Sequence, residues 1–217
     1  MKKLFIFDFD GTLFDSVNDV VSCFNKALTI HGLPTLTRDE YLECLGGNID
    51  EIVSLVLGQN DTNHNHEAVK KTYLDLYNSS EKLLTVPFSN VHDVLRELQE
   101  ENVVLAINSN RLSYSLIEFV NRFFGDIDFL EIEGHNHPHP SKPHPYGVNK
   151  IIKKAGVGLN EALYVGDSST DIMTAKNAGI DCVIVKWGYG YGEVYSSEYP
   201  IAVIDEISQI KQFINYF

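Results

Sequence analysis

"LFIFDFDGTLFDS" (residues 4–16) decides how this 217-residue chain is read. Four apolar residues, Leu4 to Phe7, run into Asp8, and Asp10 follows two positions on. A short continuous apolar run fits a strand buried on both faces of a parallel sheet. Residues two apart on a strand share a face, so both carboxylates could point to one spot. Gly11 then lets the chain turn sharply. Ligands of open α/β sheets bind beyond the carboxyl ends of the strands. Asp and Gly are equally common at any solvated strand-to-turn junction, so the stretch alone leaves two readings level.

Further along, apolar runs of the same kind recur at 103–107, 129–132, 162–165, 182–185 and 201–204. Between them lie helical patterns. Val91, Val94, Leu95 and Leu98 share one face, as do Leu116, Val120 and Phe123, and then Val148, Ile151, Ile152 and Ala155. Gly125, Gly156 and Gly179 each sit where such a helix should stop. Strand–helix repetition of this kind predicts a doubly wound α/β domain around a parallel sheet. Residues 198–217 read as a last strand and a closing helix.

One stretch breaks the alternation. From 16 to 84 there is no convincing strand, and four helical segments follow one another. Ser16 with Asp19 and Thr37 with Glu40 have the spacing of capping boxes. Gly46-Gly47 and the polar run 58–66, with His64 and His66, read as breaks. The expected organisation is an α/β core from 1–15 and 85–217 with a helical domain, 16–84, inserted after the first strand.

Hydrophobic residues make up 44% of the chain and charged residues 22%, ordinary for a globular protein. Lys plus Arg is 17 against 30 for Asp plus Glu, a formal charge of -13. Such a surface repels nucleic-acid phosphates and anionic lipid, so neither is an expected partner. No apolar run approaches 18 residues, the first strand is too short for a signal-peptide core, and the three cysteines show no CxxC spacing. The expectation is a cytoplasmic protein of unspecified oligomeric state.

The other strand ends bear on the tie left at Asp8 and Asp10. Ser109 and Asn110 follow the second apolar run, and Asp167, with Asp171 four residues on, follows the fourth. Lys142 follows the third through a loop. Ser109 could be a helix cap, Asp167 a turn residue and Lys142 a solvated cation. Yet all fall at the same edge of the expected sheet. Carboxylates, a hydroxyl, an amide and a lysine together suit a phosphate held beside a divalent cation, and hard oxygen ligands fit Mg²⁺ better than zinc. A carboxylate can also attack phosphorus to form an aspartyl-phosphate.

Over essentially its whole length the sequence resembles the haloacid dehalogenase superfamily, in the phosphoglycolate-phosphatase-like branch with a helical cap after the first strand. "DFDGTLFDS" matches the first motif (DxDGT), "INSN" the second, "KPHP" the lysine motif and "VGDSSTDIMTAKNAG" the acidic fourth. The branch usually has Thr where this chain has Ser109, and the hydroxyl is kept. The resemblance implies a Rossmann-like core with an inserted cap, and a Mg²⁺-dependent phosphatase acting on a small phosphorylated metabolite, phosphoglycolate first among candidates. It implies Asp8 as nucleophile and Asp10 as general acid, then base. It implies Ser109 and the Asn110 backbone on the phosphate oxygens and Lys142 as the balancing cation. Mg²⁺ would be bound by Asp8, the Asp10 main-chain carbonyl and Asp167, with Asp171 in support. A β-phosphoglucomutase-like phosphomutase, or a pyrophosphatase or nucleotidase, would carry the same motifs. A dehalogenase would lack Asp10, and a non-catalytic binding module would not be expected to keep the full set.

Four of the eight histidines crowd into "GHNHPHPSKPHP" (134–145). They lack a Cys or a helical His-x₃-His spacing, and the prolines hinder convergence of the rings. The stretch reads as a loop flanking the site mouth, with Pro143 and Pro145 leading into the next helix.

Overall fold

The computed structural model describes residues 1–216. In chain order the elements are β1 (Leu4–Phe7), β2 (Phe14–Asp15), α1 (Val17–Ile30), α2 (Arg38–Leu42), α3 (Ile49–Leu57), α4 (Asn63–Ser79), β3 (Val86–Pro87) and α5 (Val91–Glu100). Then come β4 (Val104–Leu112), α6 (Ser113–Phe123), β5 (Phe129–His135), α7 (Tyr146–Ala155), β6 (Ala162–Gly166), α8 (Ser169–Ala178), β7 (Asp181–Val185) and β8 (Ala202–Ile204). Two compact units result, one of Met1–Phe14 with Pro87–Phe217 and one of Asp15–Val86. Where the chain passes between them, β2 pairs with β3.

The first unit is built on a six-stranded parallel sheet of order β5-β4-β1-β6-β7-β8. Side chains on β1 alternate between its faces. Phe5 and Phe7 join one cluster with Val94 and Leu95 of α5 and Leu116 and Phe119 of α6. Leu4 and Ile6 join the other with Ile151 of α7 and Ile172 and Ala175 of α8. With both faces covered, the strands read as unbroken apolar runs, as sequence reasoning expected.

Strand order locates the site. From β1 the chain moves through β4 to β5 on one side, then returns to place β6 on the other side of β1. The two neighbours of β1 are therefore filled from opposite directions, and a crevice opens at the carboxyl end of such a switch point. Phe7 pairs with Ile107 on one side and Val165 on the other, so Asp8, Asn108 and Gly166 begin the crevice at one level.

Two strands outrun their apolar runs. β4 continues through Ser109, Asn110 and Arg111 to Leu112, and β5 continues to His135. The closing segment is a 3₁₀ helix over Ile207–Phe213, not an α-helix. It still buries Ile207, Ile210 and Phe213, the residues with which it packs on the first cluster.

The second unit is helical. Phe24 of α1 stacks on Tyr73 of α4 at 3.8 Å between ring centroids, with Tyr41 beside it at 5.4 Å. Thr37 and Glu40 form the expected capping box on α2. Ser16 precedes α1 but makes no side-chain cap bond. Asp19, its expected partner, instead accepts from Leu84 N–H (2.9 Å) and Thr85 Oγ1 (2.8 Å), tying the unit's last residues to α1. Nor is 58–66 all connection. Thr62 caps α4 by accepting from Asn65 N–H, so His64 and His66 lie in its first turn. There His66 bridges Asp61 (3.1 Å) and Asp50 (3.1 Å). Burial lowers the affinity of its ring for a proton, and the bonds to Asp50 and Asp61 outweigh this and raise it.

Candidate active site

Asp8 leaves β1 with its N–H donated to Val165 O (2.8 Å), which holds the turn against β6. Its carboxylate is buried, and Lys142 Nζ donates to Oδ1 at 2.6 Å. The same ammonium donates to Asp171 Oδ1 at 2.7 Å. Lys142 reaches this position from the loop after β5 because Asn110 grips its backbone. The Asn110 amide donates to Lys142 O (3.1 Å) and accepts from Lys142 N–H (2.7 Å). The expected substrate residue Asn110 thus has its side chain engaged in fixing the lysine. Ser109 is buried beside it, its Oγ accepting from Arg111 N–H at 3.1 Å.

Asp167 and Asp171 come from the β6–α8 turn. Asp171 serves as the third residue of the capping box opened by Ser168. Its Oδ2 accepts from Asp167 N–H (3.2 Å), Ser168 N–H (3.0 Å) and Ser168 Oγ (2.6 Å). Its Oδ1 faces Lys142 and the Tyr164 hydroxyl (3.3 Å). Asp167 Oδ1 accepts from Thr12 Oγ1 (3.3 Å) and Oδ2 from Tyr189 N–H (2.7 Å).

Asp8, Asp167 and Asp171 form a buried group, each offering an oxygen within 4.8 Å of the others, and it is the one such cluster among the described residues. Burial pushes the Asp8 carboxyl well above the usual range. Lys142 opposes this, and Asp171 and Asp167 add to it. Burial, with the charge of Asp171, raises Asp167 to about 7 against the pull of Tyr189 N–H, Lys142 and Thr12. Burial depresses the Lys142 ammonium, but Asp171 and Asp8 more than compensate and hold it well above its ordinary value. Three buried carboxyls with a single lysine between two of them are short of positive charge. A hard divalent cation among these oxygens fits that deficit.

Asp10 stands outside this cluster. Its carboxylate is held by Arg111, a residue that sequence reasoning passed over, through Nε to Oδ2 (3.0 Å) and Nη2 to Oδ1. The signal was a cation two residues after Ser109 on a strand entering the crevice. The loop 186–192 also reaches the site. Trp187 Nε1 donates to Thr12 O (3.0 Å), and Gly188 and Gly190 pack so closely on Gly11 and Asp167 that an added Cβ would overlap them.

The histidine-rich stretch flanks this site. His135, His139 and His144 line a recess shared with Ser109, Asn110 and Lys142. His139 stacks on Tyr146 at 4.6 Å between ring centroids, and His144 Nδ1 accepts from Tyr146 N–H at the start of α7.

The same arrangement of sequence is found in known proteins. The model of the haloacid dehalogenase-like hydrolases matches residues 5–185. A phosphoglycolate phosphatase of Aliivibrio fischeri is 30% identical over 214 residues, covering 96% of this chain and 94% of its own. One of Vibrio parahaemolyticus is 29% identical over 218 residues, covering 98% and 96%. The crystal structure of a predicted phosphoglycolate phosphatase from Haemophilus somnus superposes with a TM-score of 0.88 at 26% identity, covering 98% of this chain and 97% of that one. With a switch-point crevice, a buried carboxylate cluster and a match spanning most of its length, the chain belongs to the haloacid dehalogenase-like hydrolase family.

Proposed function

We propose that the chain is a Mg²⁺-dependent phosphatase that cleaves small phosphate monoesters through an aspartyl-phosphate on Asp8, with phosphoglycolate the leading substrate. One observation carries the reading: the Asp8 carboxylate lies at the sheet's switch point against the buried Lys142 ammonium, 2.6 Å away, with Asp167 and Asp171 alongside. Phosphoglycolate leads because relatives spanning nearly the whole chain bear that name.

Asp8 Oδ attacks phosphorus as the ester oxygen departs, and Asp10 gives that oxygen a proton. Asp10 then takes a proton from water, which attacks the aspartyl-phosphate and frees Asp8 and inorganic phosphate. Acid–base assistance of this kind contributes roughly 10²–10⁴-fold. The Ser109 hydroxyl, the Asn110 main chain and the Lys142 ammonium hold the phosphoryl oxygens. Asp8, Asp167 and the Asp10 main-chain carbonyl would hold Mg²⁺, while Asp171, its oxygens already committed to Lys142, Ser168 and the Asp167 N–H, supports them. Mg²⁺ bound there supplies the charge that lets a phosphate dianion approach a carboxylate. The helical unit, 15–86, is the candidate cap.

A panel of phosphorylated metabolites that includes 2-phosphoglycolate, with p-nitrophenyl phosphate as a generic ester, tests this in Mg²⁺. Phosphate release should fall by about 10³-fold or more in Asp8→Asn, the scale on which loss of a nucleophile acts. Equal rates for the two proteins would overturn the nucleophile. Isomerisation of a sugar phosphate without phosphate release would identify a mutase.

A further inference from the structure

The geometry points to Arg111 as the residue that positions Asp10 for proton transfer. This rests on the phosphatase reading and adds to it a residue that binds neither phosphate nor metal in that scheme.

Arg111 meets Asp10 through two nitrogens on two oxygens, Nε to Oδ2 at 3.0 Å and Nη2 to Oδ1. A planar fork of this kind fixes the direction of a carboxylate as well as its place, which a lysine's single ammonium does not. The fork is itself held. The guanidinium carbon lies 5.2 Å from the Phe9 ring centroid and 5.3 Å from that of Phe119, and Nη1 donates to Ser115 Oγ at 3.3 Å. Aromatic faces on a guanidinium add attraction and restrict its plane. The two ends of the pair differ in exposure. The Arg111 side chain is 8% accessible, whereas that of Asp10 is 31% accessible. The cation is thus a buried fixture and the carboxylate presents an open edge. That accessible edge is the side from which a departing ester oxygen or an incoming water can approach it.

The backbone links this fixture to the phosphate side of the site. Arg111 N–H donates to Ser109 Oγ at 3.1 Å, so the β4 segment that presents the hydroxyl also carries the fork. Ser109 and Asp10 are therefore set relative to each other by one short stretch of strand. A displacement of about 1 Å in a reacting group can cost 10²-fold in rate, so loosening Asp10 should be felt wherever its proton matters.

A bridge that merely ties the β1 turn to β4 would make another prediction, and the leaving group separates them. An alkoxide must be protonated as it departs, whereas p-nitrophenolate departs without help. The parameter kcat/KM reports steps only up to phosphoryl transfer, so the later hydrolysis common to both esters does not enter. The experiment compares kcat/KM for an alkyl monoester turned over by the wild type and for p-nitrophenyl phosphate, in Arg111→Ala and Arg111→Lys and in each combined with Asp10→Ala. In Arg111→Ala the alkyl value should fall by about 10²-fold and the aryl value by much less, with Arg111→Lys between it and wild type. In the Asp10→Ala background neither Arg111 substitution should lower the alkyl value further, because the groups act as one unit. Equal losses on both esters, or a full additional loss without Asp10, would overturn the positioning role. A wild-type protein that turns over neither p-nitrophenyl phosphate nor any alkyl monoester of the panel would instead sink the phosphatase reading, and this inference with it.

Discussion

Lys142 shows what one side chain contributes when three carboxyls share its burial. It is 6% exposed and spans Asp8 and Asp171 through the two short hydrogen bonds described above. Replacing one partner of a buried pair leaves the other uncompensated and costs about 3–5 kcal/mol. Lys142→Met, which keeps the length of the stem, should therefore lower unfolding free energy by about that much in metal-free protein and abolish ester hydrolysis. Urea unfolding in chelator measures the first and phosphate release the second. A stability loss below about 1 kcal/mol, the worth of an exposed pair, would mean that water reaches the site and screens it. The position of Lys142 was legible because a lysine between prolines after a strand had a crevice to point at. Arg111 was not, because an arginine beside polar residues ordinarily reads as solvated. Its burial depends on Phe9 and Phe119, which come from other parts of the chain.

Among the elements, the strands were the most readable and the 186–192 loop the least. Strands covered on both faces write themselves as apolar runs, so β1, β6, β7 and β8 were found within a residue at each end. The ends of β4 and β5 were missed because mostly polar residues occupy them, yet the two strands continue to the pairing of Leu112 with His135. After Lys186 the loop alternates aromatic residues with glycines, a pattern that suggests packing. Its role is set by what the glycines touch. A Cβ on Gly190 would lie 1.9 Å from the Asp167 carbonyl oxygen, a backbone atom that cannot swing aside as a side chain can. The next residue back, Tyr189, donates its N–H to the Asp167 carboxylate. Gly190→Ala should therefore shift both, lowering kcat/KM by roughly tenfold or more and stability by about 1–3 kcal/mol, the usual cost of overpacking. Tyr191→Ala, which removes a ring that is 65% exposed one residue away, should stay within about 0.5 kcal/mol of wild type. Thermal unfolding and steady-state rates for the two variants check this, and indistinguishable behaviour would show that the loop is not seated on Asp167.

At the scale of the whole molecule, charge and topology act together. Motifs in order along the chain announced an α/β core, but only the sheet order, with β4 and β6 on either side of β1, determines which carboxylates meet. That meeting gathers three aspartates inside a protein of net charge -13, so a cation has both a general and a local reason to stabilise it. The two can be separated. Screening of surface repulsion depends on ionic strength and is supplied equally by NaCl, and it is largely complete once the Debye length falls to about 8–10 Å near 0.1 M salt. Binding within the carboxylate cluster depends instead on the free metal concentration and adds RT ln(1 + [L]/Kd), about 2.7 kcal/mol at a hundredfold excess over Kd. For a chain of this size that corresponds to a rise in unfolding midpoint of roughly 5–10 °C. Mg²⁺ should thus raise the midpoint by this amount over NaCl of matched ionic strength. The increment should climb with the logarithm of Mg²⁺ concentration above Kd and vanish in Asp167→Asn, which keeps the shape of the side chain but not its charge. Differential scanning fluorimetry across a Mg²⁺ series at constant ionic strength supplies the measurement. Equal shifts from the two salts, or an undiminished Mg²⁺ increment in Asp167→Asn, would mean that the cation acts on the acidic surface and not in the cluster.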